Sequence, residues 1–152
     1  MRKEIIKVGL LGMGTVGSGV LKILEMNKEQ IKNRAGAAIE VKKILVRDLH
    51  KEWPVKVDRQ QLTTDPRDIL HDPEIDVVVE VIGGTGDARR YIEEALRNKK
   101  FVVTANKDLM ATAGTELLHL AREHNRNIYY EASVGGGIPL IRPLKHSLGA
   151  NR

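Results

Sequence analysis

Gly9-Leu10-Leu11-Gly12-Met13-Gly14-Thr15-Val16-Gly17-Ser18-Gly19-Val20 is the stretch whose reading decides the fold. It joins a short β-rich run, residues 5–11 (I-I-K-V-G-L-L), to a segment in which Val16, Val20, Ile23, Leu24 and Asn27 recur at three- and four-residue steps. The first pattern reads as a buried strand and the second as a helix with one packed face. Between them Gly12, Gly14 and Gly17 form a G-x-G-x-x-G. At such a turn the first glycine permits the tight bend, the second lets a pyrophosphate approach the backbone, and the third allows close helix–strand packing. The helix start adds unpaired N–H groups and the positive end of a dipole, so Gly12, Gly14, Thr15, Val16 and Gly17 make a candidate phosphate cradle. A tight turn without a ligand is the alternative reading; the strand before and the helix after favour the cradle.

Outward from this turn the patterns alternate. The helical period breaks at Arg34-Ala35-Gly36, and residues 39–46 return to strand character. Residues 51–64 are polar and irregular, with Val55 and Val57 at most a minor strand, and Asp65-Pro66 opens a short helix to about Leu70. Residues 76–82 (D-V-V-V-E-V-I) are the most strand-like in the chain and close on Gly83-Gly84. Helix, strand, helix and strand follow at residues 87–98, 101–104, 108–123 and 128–131, and a last helical pattern covers residues 140–148. Strands alternating with helices of about a dozen residues imply right-handed βαβ crossovers. The expected fold class is therefore α/β: a doubly wound, Rossmann-type, mostly parallel sheet with helices on both faces. No internal boundary is visible, so residues 1–152 read as one domain.

Composition narrows the function. The 152 residues include no cysteine, which excludes disulfides, thiolate zinc sites, iron–sulfur clusters and a cysteine nucleophile within them. Hydrophobic residues make up 41% and charged residues 30%, as in an ordinary folded chain. Apolar runs are only a few residues long, and the start shows no secretion signal, so the expectation is no membrane partner and a cytoplasmic compartment. The net charge of +5 comes from scattered lysines and arginines interleaved with acids, and the five aromatics are too dispersed to stack bases. A solvated surface with one anionic ligand is favoured over nucleic-acid binding.

In this fold the residue ending the second strand meets the adenine ribose: a carboxylate suits a 2′-hydroxyl, an arginine a 2′-phosphate. Here Arg47 is followed by Asp48. Arg47 favours NADP, Asp48 keeps NAD open, and a simple surface pair is the competing reading. The spacing from Gly17 is long because residues 28–39 extend the crossover.

Three further segments carry a resemblance: Val78-Val79-Glu80-Val81-Ile82-Gly83-Gly84, Val103-Thr104-Ala105-Asn106-Lys107, and Glu131-Ala132-Ser133-Val134-Gly135-Gly136-Gly137-Ile138-Pro139. With the glycine fingerprint, in this order and spacing, the chain resembles the cofactor-binding domain of homoserine dehydrogenases along essentially its whole length. The resemblance implies NAD(P)-dependent hydride transfer between L-homoserine and L-aspartate 4-semialdehyde, a step in threonine and methionine biosynthesis. It places Lys107 beside the nicotinamide and the substrate oxygen. A preorganised ammonium there would stabilise the charge that develops on oxygen. The competing reading is a solvated lysine in a helix's first turn, where a cation opposes the macrodipole. Gly83, Gly84 and Thr85 lie on the same carboxyl edge as the fingerprint and should face the bound dinucleotide, with Ala105 nearby.

The resemblance also implies a sodium ion held by the Glu131 carboxylate and the carbonyls of Val134, Gly136 and Ile138; oxygen ligands suit a hard cation. Glu131 capping the next helix without a metal is the alternative. His50, His71, His119, His124 and His146 show no metal-ligand spacing. Complete members of the family continue into a second domain with the homoserine pocket, a further acid/base lysine and the homodimer interface. Nothing here matches it, so residues 138–152 read as the start of a connection and the chain as a truncated cofactor domain that binds NADP(H) with little turnover. Two rivals stand beside this: a nucleotide-sensing module without catalysis, and the cofactor domain of another semialdehyde dehydrogenase. Against an aspartate-semialdehyde dehydrogenase stand the absent cysteine and the N-K pair.

Overall fold

A computed structural model describes residues 4–130. The elements run β1 (Ile5–Leu11), α1 (Thr15–Met26), α2 (Lys28–Ala35), β2 (Ala38–Leu45), β3 (Leu62–Thr63), α3 (Arg67–Leu70), β4 (Val77–Glu80), α4 (Asp87–Arg97), β5 (Phe101–Thr104), α5 (Lys107–Glu123) and β6 (Ile128–Tyr130). The six strands form one sheet in the order β3-β2-β1-β4-β5-β6, and every pairing is parallel. This is the doubly wound α/β arrangement, with β1 central and the chain winding outward first to one side and then to the other.

Strand alternation supplies both cores. Ile6, Val8, Leu10, Ile44, Val77, Val79 and Val103 are buried with Val20, Leu24 and Ile31 of α1 and α2. Leu11, Leu45, Val78 and Val102 turn the other way and pack with Ile69, Ile92, Leu96, Leu109 and Leu117 of α3, α4 and α5. Residues on both faces of β4 and β5 are buried, which is why those runs read as continuous valine rather than alternation. Truncating a fully buried leucine such as Leu10 or Leu96 to alanine would cost about 2–5 kcal/mol. No helix among the described residues is long and apolar enough to cross a membrane.

The structure corrects several boundaries. The stretch after Asn27 is a second helix, α2, and not a plain extension of the crossover; Asn27 closes α1 and opens α2. The break at Gly36 therefore ends α2, with Gly36 in the left-handed conformation at φ 80°. The minor strand is Leu62–Thr63 and not the Val55/Val57 segment, whose valines pack from a loop against the core on the α1–α2 side. β4 stops at Glu80, two residues early, because the N–H groups of Ile82 and Gly83 turn back to the Glu80 carboxylate. The helical pattern of residues 140–148 lies outside the described residues.

Candidate dinucleotide site

Parallel pairing brings the carboxyl ends of the strands to one edge. The register there is a row: Leu45 beside Leu11, Leu11 beside Glu80, Glu80 beside Thr104, Thr104 beside Tyr130. Loops leaving this row carry the glycine fingerprint, Arg47, the Gly83–Gly84 turn and Lys107. The strand order reverses between β1 and β4, and doubly wound sheets bind ligands in that crevice.

Gly12 makes the bend at φ 113°, and its N–H donates to the Leu45 carbonyl at 3.1 Å. A Cβ there would lie 2.9 Å from Ile82 Cγ2, so a side chain is excluded by conformation and by space. At Gly17 a Cβ would stand 2.5 Å from the Gly12 carbonyl oxygen; the helix and the turn touch there. Gly14 differs: among the described residues no atom beyond its two chain neighbours lies within 4 Å of its Cβ position, and Gly14, Thr15 and Val16 are exposed. The first turn of α1 holds no acidic residue, and Gly14 provides no side-chain cap. Among the described residues no side chain caps these amides at the positive dipole end, an arrangement suited to an anion.

The second turn is built by Glu80, Thr104 and Asn106, side chains to which the sequence motifs assign no role. Glu80 is fully buried. Its Oε2 accepts from the N–H groups of Ile82 and Gly83, each at 3.0 Å, and its Oε1 accepts from the Thr104 hydroxyl. Thr104 Oγ1 accepts in turn from Asn106 N–H at 3.0 Å. Asn106 caps α5, its Oδ1 accepting from Leu109 N–H at 3.0 Å, while its Nδ2 donates to the Gly84 carbonyl. Gly83 and Gly84 both adopt positive φ, 78° and 75°. The available signal was one acid inside an apolar run, since a buried carboxylate demands donors.

Gly83, Gly84 and Thr85 are exposed, Ala105 is half-buried, and Lys107 is an exposed first residue of α5. Arg47 is exposed just beyond β2 and makes no hydrogen bond or ion pair among the described residues. Asp48 is not its partner; the Asp48 carboxylate accepts from His50 N–H at 2.8 Å. Glu131, Val134, Gly136 and Ile138 lie outside the described residues. Among those described, no three His, Asp or Glu side chains group to hold a metal. His71 pairs with Glu94 at 2.8 Å and His119 with Glu123 at 3.6 Å, all four exposed enough for solvent to screen them.

Known proteins match this chain along most of its length. The family described as "Homoserine dehydrogenase, NAD binding domain" matches residues 12–131. The homoserine dehydrogenase of Bacillus subtilis is 50% identical over 149 residues, covering 98% of this chain and 34% of that protein. Among solved structures, Staphylococcus aureus homoserine dehydrogenase at pH 8.5 superposes with a TM-score of 0.80 at 44% identity, covering 88% of this chain and 33% of that one. Homoserine dehydrogenase from Thiobacillus denitrificans gives a TM-score of 0.78 at 42% identity, covering 99% and 35%. The chain spans about a third of the length of these relatives. It belongs to the homoserine dehydrogenase family, and the part of that family it represents is the NAD-binding domain.

Proposed function

We propose that this chain holds a nicotinamide dinucleotide, NADP(H) in preference to NAD(H), for hydride transfer between L-homoserine and L-aspartate 4-semialdehyde. The observation that carries the reading is the open, uncapped first turn of α1 at Gly14, on the same sheet edge as Arg47 and Lys107. Gly12, Gly14, Thr15, Val16 and Gly17 would hold the pyrophosphate through backbone N–H groups. Arg47, uncommitted to any described acid, would take the 2′-phosphate, which a guanidinium grips with two parallel hydrogen bonds. Gly83, Gly84, Thr85 and Ala105 would line the path toward the nicotinamide. When bound, the nicotinamide ring supplies the hydride donor or acceptor.

Lys107 would act on the substrate oxygen. An ammonium placed there stabilises negative charge as the aldehyde is reduced, and in the reverse direction it favours the deprotonated alcohol. Its position at the N-terminus of α5 is unfavourable to the macrodipole, and an anionic group bound beside it would offset that cost. The homoserine pocket, the further acid/base lysine and the homodimer interface would belong to the remainder of the relatives' length. A sodium ion at Glu131, Val134, Gly136 and Ile138 is part of the same reading; no step depends on it. The cytoplasm is the compartment that fits this chemistry.

The test is a fluorescence titration of the 152-residue chain with NADPH, paired with an absorbance assay using L-homoserine and NADP+. Binding without enzyme-like turnover is expected. Turnover at an enzyme-like rate would contradict the division of labour, and absence of binding would contradict the reading as a whole.

A further inference from the structure

We propose that Glu80 is a positioning residue: its buried carboxylate joins the Gly83–Gly84 turn to the turn carrying Lys107 and so fixes the two walls of the dinucleotide site. This rests on the dinucleotide reading above. The hydrogen bonds close a circuit, from Glu80 to the Gly83 amide, through Gly84 to Asn106, from Asn106 to Thr104, and back to Glu80. Because Thr104 Oγ1 accepts the Asn106 amide, its own proton is free for Glu80, and every bond in the circuit has a defined direction.

Packing does not require an acid at this position. Glu80 sits in register with Leu11 and Thr104 and follows three buried valines, so an aliphatic residue would continue the core at no desolvation cost. What an aliphatic residue could not supply is an acceptor for two turn amides and a hydroxyl together. Two successive glycines at positive φ have wide conformational freedom, and the carboxylate removes it on one side while Asn106 removes it on the other. The ordered products are the exposed Gly83 and Gly84 backbone and the exposed Lys107 at a fixed helix start.

The experiment compares the wild-type chain with Thr104→Val, Thr104→Ser and Glu80→Gln. NADPH affinity is measured by calorimetry, folding by thermal unfolding, and Gly83 amide exchange by NMR. Valine keeps the shape of threonine but removes the donor to Glu80 and the acceptor for Asn106; serine keeps both. Glutamine keeps a neutral, weaker acceptor for the two turn amides and presents an NH2 to the Thr104 hydroxyl, which must then accept where it donated. Folded Thr104→Val and Glu80→Gln chains are expected to bind NADPH about tenfold more weakly, the effect of one net hydrogen bond. Their Gly83 amide should also exchange faster, and Thr104→Ser should restore both readouts. Folded variants that bind as tightly as wild type would overturn the inference alone. So would loss of the fold in both, which would make the circuit a matter of stability. Failure of the wild-type chain to bind would overturn the dinucleotide reading itself, visible before any variant is compared.

Discussion

Gly17 stands directly against Gly12: a Cβ on Gly17 would lie 2.5 Å from the Gly12 carbonyl oxygen, inside any normal contact distance. The neighbour is backbone and cannot rotate away, so one methyl group must displace α1 from the turn. Gly17→Ala is expected to cost about 1–3 kcal/mol of stability. That corresponds to a loss of several degrees in Tm, read by thermal unfolding, with NADPH affinity falling as the cradle opens. An alanine variant with wild-type Tm and affinity would show that the turn is not held by this contact.

Arg47 is the residue we propose separates the two cofactors. If it receives the 2′-phosphate, Arg47→Ala removes a charge-assisted contact that NADH never makes. NADPH affinity should fall about 10- to 100-fold, while NADH affinity changes little, measured by parallel calorimetric titrations. Equal losses for both dinucleotides would place Arg47 elsewhere.

Lys100 works at the opposite edge of the sheet. It is almost fully buried, and its Nζ donates to the carbonyls of Asp72 and Ile75, tying the loop before β4 to the start of β5. Lys100→Met keeps the aliphatic stem and leaves those carbonyls short of a donor. Stability should drop by about 1–3 kcal/mol in urea unfolding, with no change in dinucleotide affinity beyond the folded fraction. An affinity loss in fully folded protein would contradict the assignment of the site to the carboxyl edge.

The same edge sets the acid limit of the fold. Burial alone would raise the Asp72 carboxyl, but hydrogen bonds from the Lys42 ammonium and the Glu74 amide, with the charges of Lys42 and Lys100, hold it below its ordinary value. Glu74 is held low by hydrogen bonds from Lys42 and Lys7. A carboxyl whose folded pKa is depressed contributes stability above its unfolded pKa and loses it as pH falls through the folded value. Urea unfolding should therefore show stability declining below about pH 4, and Lys42→Met should flatten that decline. An unchanged slope in the variant would remove the ion-pair cluster from the explanation.

Legibility in the sequence followed the range of each interaction. The strand, glycine turn and helix around Gly12 are contiguous, and the tight bend at Gly12 and the close packing at Gly17 follow the motif's geometry. α2 was illegible because only Ile31 and Ala35 of its eight residues are buried, too few to set a helical period. β3 has two residues, fewer than an alternation needs. The Glu80 circuit spans residues 80–106, and the register of β4 against β5 creates it. A single acid in a valine run marked the place, but its partners exist only once the sheet has formed.

The most direct test of the central claim is an amide NMR titration of the chain with NADPH. Shifts concentrated at Gly12–Gly17, Arg47, Gly83–Thr85 and Lys107 are the expected result. Shifts concentrated at Asp72, Asp76 and Lys100 on the amino edge, or none at saturating NADPH, would contradict it.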